Sequence, residues 1–423
     1  MKKKSLPVFF VGLLMCGCQM KEVINEYNVV PLPVTMSEQQ GRFYLNSDVP
    51  IVVNASQEVK HIASGLSTTL LDIAGLKLKP TDELHENVPS IVFDSIPGME
   101  KEAYKLSVTP QLIKITASAP NGFYYGLQTL YQLLPVDVYC KERARNAEWS
   151  VPCVEIEDAP TFRYRGAMLD VCRHFASIDY IKKFIDVLAA HKMNTFHWHL
   201  TDDQGWRIEI KKHPELTQIG AWRGNTIVGR YVGGWDYPTD GKPHGGYYTQ
   251  EQIKEIIAYA QQRYIMVVPE IDLPGHTTAV LASYPELACV PGEYKVSNRW
   301  GVLWDVICAG NDASLALFKD IMDEVCTLFP GEYVHIGGDE CVKARWKACE
   351  KCQQKIKDLH LKGIGAYSAE DQLQSYFMGE VAKHIRAHDK KVIGWDEILD
   401  GPPMEEAVVM SWRGVEGGRR AAQ

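Results

Sequence analysis

From residue 166 onward, short apolar strand-like runs alternate with segments of helical periodicity. This alternation narrows the fold more than any other feature of the 423 residues. Strand-like runs at 166–171, 195–200, 266–271, 333–336, 391–395 and 407–412 are interleaved with helical patterns at 178–191, 250–263, 313–328 and 369–388. Parallel strands need crossover connections, so the pattern predicts either a doubly wound sheet or a (β/α) barrel. The strand ends choose between them. Asp170 and Arg173, then His197, His199 and Asp202, then Glu270, Asp272 and His276 fall at or just past the carboxyl ends of successive runs. Asp339 and Glu340, Trp395 and Asp396, and Trp412 and Arg413 continue the series. A doubly wound sheet gathers such residues at one crevice, whereas a barrel draws them from every strand end onto one face. The pattern therefore favours an α/β fold of (β/α)8 TIM-barrel type over 159–423.

Residues 24–155 read differently. Runs at 90–93, 104–108 and 112–117 have strand character, 62–74 and 123–134 have helical spacing, and Asn121-Gly122 reads as a turn. This is a small α+β domain with no cluster of catalytic residue types, and 152–160 reads as a linker or joining strand. The formal net charge is −8 with both signs interspersed, which argues against a nucleic-acid surface. Ten Trp and 20 Tyr suit a core, and also a site that stacks the flat apolar faces of sugars.

The N-terminus carries an address. Met1-Lys2-Lys3-Lys4 precedes an apolar run over 6–15, too short to span a bilayer, which stops at Met15-Cys16-Gly17-Cys18. This resembles a bacterial lipoprotein signal, with residues 1–17 removed and lipid added to Cys18; a plain secretory signal is the alternative. The expectation is an exported chain in the periplasm or at the cell surface, anchored to the outer membrane through lipid alone. Cys140, Cys153, Cys172, Cys289, Cys308, Cys326, Cys341, Cys349 and Cys352 remain, an odd number. Cys349-Glu-Lys-Cys352 has the spacing of half a zinc ribbon, but no second CxxC follows, so a cysteine pair on a helix is expected rather than a metal site. Cys289 and Cys308 could bracket a loop, and the spacing assigns no disulfide.

The chemistry concentrates at Tyr333-Val-His-Ile-Gly-Gly-Asp-Glu340, an apolar run, two glycines and two adjacent carboxylates. Adjacent carboxylates repel, so one tends to hold a proton in a partly dry site. Alone, the motif is equally an acidic turn. Four further motifs accompany it: Arg165-Gly-Ala-Met-Leu-Asp-Val-Cys-Arg-His174, Phe196-His-Trp-His-Leu-Thr-Asp-Asp-Gln-Gly-Trp206, Pro269-Glu-Ile-Asp-Leu-Pro-Gly-His276 and Gly394-Trp-Asp-Glu397. In this order they resemble the family 20 glycoside hydrolases, the β-N-acetylhexosaminidases. Asn121-Gly-Phe-Tyr-Tyr-Gly-Leu-Gln-Thr-Leu130 is similar to that family's N-terminal α+β domain.

The resemblance implies substrate-assisted retaining hydrolysis of a glycan with a terminal N-acetylhexosamine, with no cofactor and no metal. Neighbouring residues on one strand end cannot easily straddle a sugar, and attack on C1 by the substrate's own acetamido oxygen removes the need for an enzyme nucleophile. The resemblance gives Glu340 the role of acid and then base, its neutral form favoured by the Asp339 charge. It gives Asp339 the acetamido N–H. Arg173 is implied to grip sugar hydroxyls, or else to form a barrel salt bridge. Asp202 and His276 are implied to tune the acid, or else to be a structural pair. Trp395 is implied to wall the acetamido pocket, and Trp412 is a second wall or core. His197, His199, Trp206, Glu270 and Asp272 read as supporting or core groups.

The barrel reading expects one further strand and a closing helix beyond Gln423. The resemblance implies tyrosine–aspartate and tryptophan–glutamate pairs from that continuation, so a C-terminally truncated form is expected. A glycan-binding lipoprotein without turnover is the alternative from another class. A two-carboxylate glycosidase acting on neutral sugars is a third.

Overall fold

The computed structural model describes residues 27–81, 87–144, 147–230, 237–402 and 404–423; the signal segment and Cys18 lie outside the described residues. The chain divides into two compact units. One comprises residues up to Ser95, Lys105–Thr116 and Thr129–Asp158; the other comprises Ile96–Tyr104, Ala117–Gln128 and Ala159–Gln423.

A seven-stranded sheet organises the N-terminal unit. It includes Ser90–Ser95, Tyr104–Val108 and Leu112–Ala117, and also Thr35–Tyr44, Pro50–Asn54 and Lys79–Thr81, which are not among the expected strands. Ser150–Asp158 is a full strand, antiparallel to Thr35–Tyr44, so the joining-strand alternative holds there. The helix Gln57–Ala74 buries Val59, Ile62, Ala63, Leu66, Leu70 and Ile73, a helical stripe, and ends at Gly75 in the left-handed region with φ 72°. Asn121-Gly122 is not a turn: both lie in the first turn of the helix Pro120–Leu133. Gly122 is there for closeness, since a Cβ would come within 2.2 Å of the Ala103 carbonyl.

The C-terminal unit is a curled parallel sheet. Its strands are β1 (Gly166–Asp170), β2 (Thr195–Asp202), β3 (Met266–Ile271), β4 (Tyr333–His335), β5 (Lys391–Trp395) and β6 (Val408–Met410), hydrogen-bonded in sequence order. The crossovers include α1 (Ile178–Ala190), α2 (Gln250–Gln261), α3 (Asp312–Leu328) and α4 (Ala369–Arg386). Six parallel strands are present among the described residues, so a closed eight-stranded barrel lacks two strands here, where the sequence expectation allowed for one.

Local chemistry starts each helix where the pattern places it. Ser177 caps α1 by accepting from the Tyr180 amide, and reciprocal capping boxes open α2 (Thr249 and Gln252) and α4 (Ser368 and Asp371). The buried stripe of α1, Ile181, Ile185, Leu188 and Ala189, joins Phe196, Trp198 and Leu200 of β2 in one continuous core. No helix of the described residues is long and apolar enough to cross a membrane.

Register decides what meets at the strand ends. Asp170 pairs with His199, His199 with Glu270, and Glu270 with His335. Four ionisable residues from four adjacent strands therefore stand on one level of the sheet.

Candidate active site

A buried carboxylate lies beneath the strand ends. Glu270 has no exposed side-chain surface, and its Oε2 lies 2.7 Å from His197 Nε2 and 2.6 Å from His199 Nδ1. Its Oε1 accepts the indole N–H of Trp395 at 2.9 Å. Burial alone would raise its pKa, but the charge on His199 outweighs that and holds Glu270 well below the usual carboxylate range. Burial likewise opposes charge on His199, yet Glu270 and the hydrogen bond to Asp202 keep its pKa well above the ordinary imidazole value. His335 behaves oppositely: burial pushes it down to about 3, and its Nδ1 accepts the Gly337 amide at 3.0 Å. The Trp395 ring is wedged against the rings of His197 and His335. His197, His199 and Glu270 read as core groups from sequence. They are buried as expected, and they form a hydrogen-bonded network that fixes the orientation of Trp395.

Above this hub, Asp202 Oδ2 receives Arg173 Nη2 at 2.7 Å and His199 Nε2 at 2.9 Å. Arg173 also reaches Asp170 Oδ2 at 3.0 Å. The salt-bridge alternative for Arg173 is thus present, and its side chain still keeps 37% of its surface. Burial works against charge on Asp202, but hydrogen bonds from His199 and His276 hold it fully ionised.

His276 links the two ends of the site. Its Nδ1 lies 3.2 Å from Asp203 Oδ2 and 3.3 Å from Asp202 Oδ1. Its Nε2 lies 3.4 Å from Glu340 Oε2 and 3.6 Å from Asp339 Oδ2. Burial disfavours its charge, but Asp202 and Asp203 overcome that, and the ring is an imidazolium. Asp203, which the motif reading passed over, also accepts the Thr278 amide at 2.9 Å.

The turn carrying the acids is strained into place. Gly337, Gly338 and Glu340 have φ of 64°, 105° and 49°. A Cβ on Gly337 would sit 1.6 Å from Asp272 Oδ1, the atom that accepts the Gly338 amide. Asp272 therefore clasps the turn, and its burial together with the nearby Asp339 raises its pKa well above the carboxylate range. The environment favours the proton on Asp339 rather than on Glu340, where it was expected. Burial raises Asp339, whereas the ion pair with the His276 imidazolium at 3.4 Å lowers Glu340. The reason is tertiary: Asp339 is the more enclosed acid, and the nearest cation favours its neighbour.

Trp412 is not core. Half of it is exposed, and its indole N–H donates to both Glu397 oxygens at 3.0 and 3.2 Å. Arg207, which carries no motif signal in the sequence, is fully buried and has no carboxylate partner among the described residues. It donates to the carbonyls of Val171, Cys172, Gln204, Ala221 and Gly246 and so braces the loops after β1 and β2. Trp206 is buried with its N–H on the Ile208 carbonyl, as a core residue should be. A cavity of about 550 Å³ opens beside Glu340 toward α4, but it contains none of Arg173, Asp202, His276 or Trp395.

Residues 162–423 match the model of glycosyl hydrolase family 20, catalytic domain, and residues 26–159 match domain 2 of the same family. The chain belongs to glycosyl hydrolase family 20. Among relatives of this family 20 chain, a beta-hexosaminidase of Porphyromonas gingivalis is 45% identical over 419 residues, covering 97% of the chain and 51% of that protein. A beta-hexosaminidase of Vibrio furnissii is 38% identical over 76% of the chain and 50% of its own length. The chain thus spans about half the length of these curated relatives. Of solved structures, the GH20 exo beta-N-acetylglucosaminidase of Vibrio harveyi in complex with N-acetylglucosamine aligns with a TM-score of 0.79 at 32% identity, over 94% of this chain and 59% of that one. The beta-N-acetylhexosaminidase of Bacteroides fragilis aligns with a TM-score of 0.73 at 32% identity, over 93% and 72%. The family 20 fold, a TIM barrel preceded by a smaller domain, agrees with the α/β reading of the sequence.

Proposed function

We propose that this chain carries the catalytic machinery of an exo-acting β-N-acetylhexosaminidase, hydrolysing terminal N-acetylglucosamine or N-acetylgalactosamine with retention and substrate assistance. One observation supports it most directly. Asp339 and Glu340 reach the same nitrogen of His276, at 3.6 and 3.4 Å, so both acids lie on one side of the site. Two carboxyls placed that way do not flank a sugar ring as an enzyme nucleophile and a separate acid do. The substrate's acetamido oxygen then attacks C1. Glu340 protonates the departing oxygen and afterwards takes a proton from water. Asp339 accepts the acetamido N–H and stabilises the developing positive charge. A sugar closing over Glu340 removes its remaining water and raises its pKa toward that of a working acid. Asp202 and His276 tune Glu340, Arg173 grips sugar hydroxyls as a planar fork, and Trp395 and Trp412 wall the pocket.

Hydrolysis of p-nitrophenyl N-acetyl-β-glucosaminide against the plain glucoside tests the assignment. Equal rates on both would sink substrate assistance, and sugar binding without product by well-folded protein would leave only a lectin. Glu340→Gln should lose most on poor leaving groups, whereas Asp339→Asn should lose on activated and unactivated glycosides alike.

The same reading makes the chain an exported lipoprotein held at the outer membrane through Cys18. It rests on the basic tripeptide, the short apolar run and Cys18 itself. Cys18→Ser should abolish lipid detected by mass spectrometry of the mature N-terminus; retained lipid would refute it.

A further inference from the structure

Four cysteines from two loops meet in the barrel unit. Cys308 Sγ lies 3.7 Å from Cys349 Sγ and 3.6 Å from Cys352 Sγ, and Cys289 Sγ lies 3.8 Å from Cys352 Sγ. All four sulfurs fall within 4.8 Å of one another. Cys308, Cys349 and Cys352 are buried and Cys289 is partly so. The pair that reads from sequence as half a zinc ribbon therefore has its other half supplied by two single cysteines on another loop.

We propose that Cys289, Cys308, Cys349 and Cys352 form a structural zinc site that clamps the loop after β3 to the loop after β4. A tetrahedral centre with Zn–S bonds of about 2.3 Å has S···S edges of about 3.8 Å, and the three contacts above lie at or just inside that edge. Binding replaces four S–H protons with one Zn²⁺, leaving a net charge of −2 on the cluster. The surroundings suit that charge. Cys349 is the N-cap of the helix Glu350–Asp358 and Cys352 lies in its first turn, where free amides and the helix dipole favour thiolates. Gly310 permits the close approach, because a Cβ there would strike the Cys352 amide at 2.3 Å.

The clamp has a structural purpose. The β3 loop carries His276 and the β4 loop carries Asp339 and Glu340, and these must hold their spacing across a non-covalent gap. Trp346 donating to the Ile307 carbonyl at 2.9 Å and Arg345 on Asp305 at 2.8 Å tie the same two loops from beside the cluster. All four ligands come from the chain, with no open position for substrate, which assigns the metal to folding rather than chemistry.

The test is metal content, which is independent of the glycosidase reading. The full chain, refolded under reducing conditions with Zn²⁺ and desalted, should contain one zinc per chain. Its zinc K-edge EXAFS should fit four sulfurs at about 2.3 Å. Cys308→Ser should cut the content from one to near zero, while Cys140→Ser, at an exposed cysteine outside the cluster, should leave it at one. If Cys308→Ser does not fold, EXAFS of the unaltered chain decides. Zinc-free folded protein after that refolding, a sulfur-poor EXAFS shell, or the four cysteines recovered as disulfide-linked peptides from zinc-exposed protein would each overturn the proposal.

Discussion

His276→Asn separates the charge that His276 directs at Glu340 from its other contacts. Residue 276 sits at φ 51°, a conformation asparagine tolerates, and an asparagine amide can still meet Asp202 and Asp203 where Nδ1 does now. Lost is the positive charge 3.4 Å from Glu340. Two unit charges at that distance interact by about 1.2 kcal/mol in water and about 5 kcal/mol at an effective dielectric of 20. Glu340 keeps 30% of its side-chain surface, so the lower part of that range applies. About 1.4–2.8 kcal/mol corresponds to roughly one to two pH units. The sign follows from the present state. His276 holds Glu340 below the carboxylate range, so its loss lets that pKa rise. The limb of kcat/KM that reports deprotonation of the acid in the free enzyme should move to higher pH by roughly one to two units. Chitobiose with product quantified directly is the substrate of choice, because its leaving group needs the proton. A limb that stays put or moves down would refute the coupling, whatever happens to kcat.

Glu270→Gln should cost about 3–5 kcal/mol in urea denaturation, because a buried charge network loses its hub. Glu270 has its folded pKa below its ordinary value, so its contribution is present above about 4.5 and is lost as pH falls. The acid side of the stability profile should therefore flatten in Glu270→Gln, and an unchanged slope would count against the hub. Gly337→Ala should destabilise by about 2–4 kcal/mol, combining a left-handed backbone with collision into Asp272, and should lower kcat by displacing both acids; wild-type melting would refute the strain. Arg207→Met removes the guanidinium donor from five carbonyls, four of those bonds being buried, and should cost at least about 3 kcal/mol by thermal melting, with KM rising as the β1 and β2 loops loosen.

What was legible in the chain was what local physics determines. Met266–Ile271 and Lys391–Trp395 coincide with their expected bounds, since apolar runs bounded by polar residues fix a buried strand. Thr35–Tyr44 is not legible in the chain because TMSEQQGRFY is a mostly solvent-facing edge strand with no apolar period. Motif order placed Asp339, Glu340, Arg173, Asp202, His276 and Trp395, and the fold brings them to one face. Asp203 and Arg207 had no such signal, because a side chain that works by meeting carbonyls or a ring from other loops has no characteristic spacing.

By itself, then, the sequence determined the alternating α/β architecture, the strand ends that carry chemistry and the family to which they belong, because periodicity and motif order are properties of the chain. Only the tertiary structure decided that Asp339 and Glu340 share His276, how Glu270 holds Trp395, and that Cys289 and Cys308 approach the Cys349–Cys352 pair. Each of those depends on a register between strands or an approach between loops. Free energy at such sites comes from distances of three to four ångströms across chain separations of tens of residues, which no local pattern encodes.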